Sequence, residues 1–167
     1  PEKRIGTIVD GFEKASKQKP MGLILVGDGP LRAYVDWKAK GVQGLNVMGF
    51  TENRNELANL LASSDYFVHG SAAETYGIVV AEAICSGLPV LTPKRGGAAD
   101  LASSHYGEIY RAGKPDEFAA ALLRLIEKDR NSLVDATKVA AKERIGTMDD
   151  HFIQLFSTYQ KFLNSSG

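Results

Sequence analysis

Only one cysteine, Cys85, occurs among the 167 residues. A single thiol excludes an internal disulfide framework and a cysteine-rich zinc site, and it leads to the expectation of a reducing, cytoplasmic setting. The three histidines, His69, His105 and His151, are far apart and show no metal-ligand spacing. Charge of one sign is also missing, since 20 Lys+Arg against 20 Asp+Glu give a formal net charge of zero. This argues against a general nucleic-acid or anionic-membrane binder and confines any anion site to a local patch. No apolar run reaches the ~18 residues needed to span a bilayer. No signal-peptide pattern opens the chain and its first residue is Pro1, from which the expectation is a fragment of a longer polypeptide. What is present is globular in kind: 44% hydrophobic and 24% charged residues, enough for one core and unlike a disordered tail.

Two periods alternate along the chain. Short β-rich runs fall at 23–26, 45–48, 66–68, 89–92 and 107–110, and helical patterns fall at 4–17, 31–40, 53–63, 76–86 and 98–103. Strand–helix alternation at this pitch predicts βαβ units and a mostly parallel sheet. The runs at 22–27 and 90–92 are apolar throughout, the pattern of strands covered on both faces. Helices alone follow: one opened by Pro115, Asp116 and Glu117 with a stripe of Phe118, Ala121, Leu122, Leu125 and Ile126, one from about Ser132, and one from near Thr147 with Phe152, Phe156 and Phe162 in its stripe.

Parallel strands end on one edge, where ligands bind. The first four runs all end in glycine-bearing turns: Gly27-Asp28-Gly29-Pro30, Gly49-Phe50-Thr51, Gly70-Ser71 running on to Gly77, and residues 92–97 ending in Gly96-Gly97. Helix starts behind such turns present free N–H groups that suit phosphate. Each turn alone is equally a plain strand-to-helix connection; their location on one edge predicts a small-molecule anion site.

Two carboxylates stand out. Glu74 lies in the loop after the third run, and Glu82 lies in the next helix among Val79, Val80, Ala83 and Ile84. That helix is apolar nearly all round and is expected to be buried, and an acid on it is paired within the fold or bound to something. Two readings stand: a cap or salt bridge, or a carboxylate accepting hydrogen bonds from a vicinal diol.

With residues 75–78 (Thr-Tyr-Gly-Ile) behind the first acid and residues 83–90 behind the second, Glu74 and Glu82 resemble the E-x7-E signature of glycosyltransferase family 4, retaining enzymes of the GT-B fold. Gly27-Asp28-Gly29-Pro30 resembles that family's G-D-G-P turn, and Val47-Met48-Gly49 its strand before the base-binding loop. Gly96-Gly97 followed by Asp100 resembles its G-G-x-x-E/D element, and Pro1-Glu2-Lys3 the end of its R-x5-K stretch. The match runs in order from the first residues to about Leu125.

The resemblance implies an α/β, Rossmann-like doubly wound parallel sheet, the donor-binding half of a GT-B enzyme. Residues 1–131 would form that domain and 132–167 its C-terminal helices. It implies that Glu82 holds the ribose hydroxyls of a nucleotide sugar and Glu74 the hydroxyls of the transferred sugar. Lys3 would neutralise the diphosphate, and the amides of Tyr76, Gly77, Ile78 and Val79 would meet it; Gly27 and Gly29 would line the donor cleft and the Thr51 backbone would contact the base. Neither cofactor nor metal is expected. On this resemblance the acids would bind hydroxyls rather than act as a glycosidase pair.

Departures from the family pattern exist. Its arginine would lie before Pro1, and Pro93-Lys94-Arg95 stands where many members carry an acidic residue. Lys94 and Arg95 read as a solvated loop or as added charge near phosphate. Cys85 and Trp37 read as packing residues. The first strand of such a sheet normally lies between the second and fourth, so a gap is expected between the runs at 23 and 66. The acceptor-binding half, the partner of this half, is expected to lie outside these residues, and with it any peripheral membrane contact. An uncovered terminal stripe would favour self-association. Alternatives are a non-catalytic nucleotide- or sugar-binding module, and a nucleotide-sugar epimerase or phosphorylase relative.

Overall fold

The strands among the described residues are short, and every pair they form is parallel. The computed structural model describes residues 2–73 and 75–145. Their order is α1 (Ile5–Ser16), β1 (Leu23–Val26), α2 (Arg32–Ala39), β2 (Leu45–Met48), α3 (Arg54–Ala62), β3 (Phe67–Val68), α4 (Ile78–Cys85), β4 (Val90–Pro93), α5 (Gly97–Leu101), β5 (Gly107–Tyr110), α6 (Pro115–Glu127) and α7 (Arg130–Ala140). A single π-helical turn, Ala141–Ile145, follows α7.

The strands form two sheets, β1–β2 and β3–β4–β5. Leu23 pairs with Leu45 and Val26 with Met48; Phe67 pairs with Val90, and Val90 in turn with Gly107. The gap expected between the runs at 23 and 66 is therefore present among the described residues.

One core serves both sheets from one side. Ile8, Val9 and Phe12 of α1 and Phe118, Leu122 and Leu125 of α6 are buried with Leu45, Leu91 and Tyr110, and Leu23, Leu25 and Val68 pack against them. A second core lies on the other side. It joins Leu61 of α3, Val80, Ala83 and Ile84 of α4 and Ala98 of α5 to Val90, with Phe67 against them. The second core covers the three-stranded sheet. On β1 the outward residues Ile24 and Val26 stay 49% and 42% exposed, and α3 buries Leu61 alone.

Local signals set the helix boundaries. Pro115 opens α6 with Asp116 and Glu117 in its first turn, where an acid complements the helix dipole. The α7 helix starts at Arg130, slightly ahead of the expected Ser132, because the Asp129 carboxylate accepts from the Ser132 amide (2.8 Å) and hydroxyl (2.6 Å). The shortest helix, α5, ends at Leu101 rather than 103.

Three expectations need correction. The α4 helix is not buried all round: its first residue, Ile78, projects from the strand-end edge at 67% exposure, and its last, Cys85, is exposed. Cys85 is thus not a core residue. Burial first, and the nearby Glu82 charge second, push its thiol pKa up, away from reactivity. Trp37 is 66% exposed; its ring lies 6.4 Å from the Tyr34 ring, centroid to centroid, and 6.0 Å from the Lys38 ammonium. The predicted helix from Thr147 and its phenylalanine stripe lie outside the described residues, as does Glu74. No helix among the described residues is long and apolar enough to cross a membrane.

Candidate nucleotide-sugar site

At the carboxyl ends of the three-stranded sheet, two glycines let backbones meet where no other residue would fit. A Cβ on Gly70, just past β3, would lie 2.2 Å from the Lys3 carbonyl oxygen. Residue 3 is thereby held at the end of β3, and its exposed side chain stands on the strand-end edge. A Cβ on Gly97 would lie 2.3 Å from the Thr75 carbonyl oxygen. The turn behind β4 thus packs on the peptide that leads into α4. A third contact, between Gly77 and Ala98, closes the same junction.

Gly77 is the N-cap of α4 and has φ 84°. Its carbonyl accepts from the Val80 and Ala81 amides at 2.9 and 3.1 Å. The Ile78 and Val79 amides, with no helical residue behind them, have no acceptor among the described residues. Glu82 lies one turn further along α4 and is half-buried. Its carbonyl accepts from Ser86, but its carboxylate makes no hydrogen bond or ion pair with a described residue. Among the described residues, Glu82 thus forms no internal salt bridge, one of the two readings left open for it.

Lys94 and Arg95 are exposed on this edge, and the Lys94 amide donates to the Tyr110 carbonyl. Asp100, in the first turn of α5, is exposed, and its carbonyl accepts from Arg144 at 2.7 Å. Beneath the edge, His69 is buried and stacks on Phe67 with 6.4 Å between centroids. The buried Tyr110 hydroxyl donates to the His69 carbonyl at 2.8 Å. Burial pushes the Tyr110 phenol far up, against a smaller opposing effect of the Arg4 charge.

The other sheet carries the remaining predicted residues. The Gly27 amide donates to the Gly49 carbonyl at 3.3 Å, so the two turns behind β1 and β2 adjoin. Asp28 accepts from the Gly29 amide at 2.7 Å. The Thr51 hydroxyl is engaged locally, donating to Glu56 and accepting from the Asn53 amide. An open hollow of about 510 Å3 follows α3, lined by Asn53, Glu56, Asn59 and Ser63; it is a surface furrow away from Glu82.

A smaller cavity, about 280 Å3, is lined by Glu2, Arg4, Ala72 and Ala73. It adjoins Lys3 and the loop that leads to Glu74. Arg4 was not among the predicted site residues. It caps α1 in the left-handed conformation, φ 46°, and its adjacency to Lys3 was the only sequence signal for it. Among the described residues no cluster of three or more histidine, cysteine or acidic side chains could hold a metal ion.

The sequence matches the family described as "Glycosyl transferases group 1" over residues 1–128. A GDP-mannose-dependent alpha-mannosyltransferase of Mycobacterium tuberculosis is 38% identical over 107 residues, 63% of this chain and 26% of the relative. The sulfoquinovosyl transferase SQD2 of Arabidopsis thaliana is 31% identical over 125 residues, 72% of this chain and 24% of the relative. This chain spans about a quarter of the length of those relatives. Among solved structures, the pneumococcal O-GlcNAc transferase GtfA in complex with UDP and GlcNAc superposes with a TM-score of 0.80 over 97% of this chain and 34% of its own, at 18% identity. That likeness bears on the fold. With the family matched over most of the sequence, this chain belongs to the glycosyl transferases of group 1.

Proposed function

We propose that this chain is the donor-binding part of a retaining, family 4 hexosyltransferase that uses a nucleotide sugar in polysaccharide or glycolipid synthesis. The observation that carries the reading is the half-buried Glu82 carboxylate with no partner among the described residues, one turn from the open amides of Ile78 and Val79. A carboxylate in that state is matched by a ribose diol, which donates two hydrogen bonds to it. The open amides and the helix dipole suit the diphosphate beside it. Lys3, held at the end of β3 by Gly70, adds the cation. Glu74 is assigned to the hydroxyls of the transferred sugar, Gly27 and Gly29 to the cleft wall, and the Thr51 backbone to the base.

The chemistry follows from charge. Breaking the anomeric C–O bond leaves negative charge on the nucleoside diphosphate. Lys3 and the amides at 76–79 stabilise that charge as it develops, and this lowers the barrier. The reading gives this task to protein groups and needs no metal. The acceptor and the rest of the active site belong to a second half beyond this chain, in a cytoplasmic enzyme that reaches membranes through that half.

The names of the relatives support a nucleotide-sugar donor without choosing its base: one is GDP-mannose-dependent and one fold neighbour holds UDP. Titration calorimetry with UDP-, GDP- and ADP-sugars, on a protein carrying both halves, tests the proposal. The Glu82→Ala variant is expected to lose tenfold or more in donor affinity, about 1.4 kcal/mol, with its fold intact and with EDTA without effect. Unchanged affinity in that variant would falsify the role given to Glu82.

A further inference from the structure

The ion pairs of this chain are unevenly placed. Away from the strand-end edge, cations are paired: Lys19 with Glu127, Lys38 with Glu13 and Arg124 with Glu108. Lys3, Arg4, Lys94, Arg95 and Lys114, at the carboxyl ends of β3, β4 and β5, form no ion pair with a described residue. Among these five, Arg4 has a cavity beside it.

Arg4 is held at both ends. Its backbone takes φ 46°, the one positive φ outside glycine among the described residues. Its guanidinium lies against the turn into α6, where a Cβ on Gly113 would come within 2.7 Å of Nη1. The cavity of about 280 Å3 is lined by Glu2, Arg4, Ala72 and Ala73. Glu2 is exposed and forms no ion pair with Arg4 or with another described residue. The lining thus offers an uncommitted guanidinium beside two methyl groups. It lacks the amide and hydroxyl side chains, and the aromatic ring, that orient a neutral sugar. It suits an oxyanion, which the planar fork of arginine binds with two parallel hydrogen bonds.

The cavity is separate from the diphosphate site. The loop behind β3 meets Arg4 through Ala72 and Ala73 and meets the start of α5 through Thr75 and Gly77. The α1 helix, which Arg4 caps, packs in the first core. The α4 helix, whose open amides are assigned to the diphosphate, packs in the second, on the other face of the sheet. Glu74, assigned to the transferred sugar, lies in sequence between the two stretches of the loop. What stands beside the transferred sugar and off the diphosphate in a transfer reaction is the acceptor. We propose that the Arg4 cavity binds a phosphate or carboxylate group of the acceptor, and that the acceptor is therefore an anion. Its other contacts stay with the second half. The oxyanion site stands on its own observations, and its use by the acceptor rests on the donor reading.

Calorimetry on a protein carrying both halves tests this with D-glucose, D-glucuronate and D-glucose 6-phosphate as probes. Each is titrated without nucleotide and with saturating UDP, GDP or ADP. The two anions are expected to bind at least tenfold more tightly than glucose, with nucleotide bound or absent. Arg4→Gly is expected to abolish that preference while melting at or above the parent temperature, because glycine takes a positive φ without strain. Arg4→Lys keeps the charge without the fork and is expected to keep part of the preference. Glu2→Gln removes the acid from the lining and is expected to strengthen binding of both anions. An unchanged preference in Arg4→Gly overturns the proposal, as does equal binding of glucose by the parent. Displacement of the anions by nucleotide overturns it by giving Arg4 to the diphosphate. An Arg4-dependent preference for UDP-glucuronate over UDP-glucose overturns it in favour of an acid on the transferred sugar. A protein that binds the anions through Arg4 but takes up no nucleotide refutes the donor reading, and the acceptor role falls with it.

Discussion

The strands β1 and β4 are alike in sequence and unlike in burial. Leu23-Ile24-Leu25-Val26 and Val90-Leu91-Thr92-Pro93 are both four-residue runs suited to the interior of a layered sheet. All four residues of β4 are buried, with helices on both faces and strands on both edges. On β1 exposure alternates, since one face meets α1 and α6 while the other keeps Ile24 and Val26 half open. Apolarity on both faces records the environment a strand is made for. The three-stranded sheet supplies that environment and the two-stranded one supplies half of it. The site divides along the same line: the loops assigned to diphosphate and sugar hang on the well-packed sheet, and those assigned to the base hang on the half-covered one.

Truncation of the two strands probes the contrast most directly. Leu91→Ala, in a fully buried side chain, is expected to cost about 2–5 kcal/mol. Ile24→Ala is expected to cost under about 1 kcal/mol. Urea unfolding of both variants measures the difference, and equal losses would remove the distinction between the sheets.

A smaller effect is expected from Gly97→Ala. Its new Cβ meets the Thr75 carbonyl, a backbone group that cannot swing aside. A loss of about 1–3 kcal/mol is expected, with weaker donor binding because the start of α4 moves. Calorimetry on the variant reads both. Full affinity would show that the glycine contact between β4 and α4 does not set the site.

A further small effect is expected on the side of the two-stranded sheet. Lys38 of α2 pairs with Asp10 and Glu13 of α1 at 2.9 and 2.6 Å. Hydrogen bonds from Lys38 and then Lys17 hold the Glu13 carboxyl below its ordinary 4.5. Those from Glu13 and then Asp10 hold the Lys38 ammonium well above its usual range. A depressed carboxyl contributes stability that is complete above 4.5 and lost as pH falls through its folded value. Lys38→Met is expected to cost about 1 kcal/mol near neutral pH. Its deficit against the parent chain should shrink below pH 4.5. Thermal melts of the two proteins across that range check the sign.

The strands and most helix starts were legible because apolar runs, Pro115 and the glycine turns act locally. The family resemblance rests on residues close in sequence, such as Gly96-Gly97 before Asp100. Properties set by distant contacts were not legible. Trp37 and Cys85 look like packing residues by type, and their exposure depends on where α2 and α4 face solvent. That Glu82 has no partner among the described residues depends on which cations come near it, and the left-handed turn at Arg4 goes with the packing of Lys3 against Gly70.

The bond from the Tyr110 hydroxyl to the His69 carbonyl joins residues 41 positions apart. It fixes how far β5 stands from the root of the loop behind β3, so a shift of β5 is transmitted to that loop. Variation around Tyr110, remote from the residues assigned to the donor, is thereby felt at the rim behind β3.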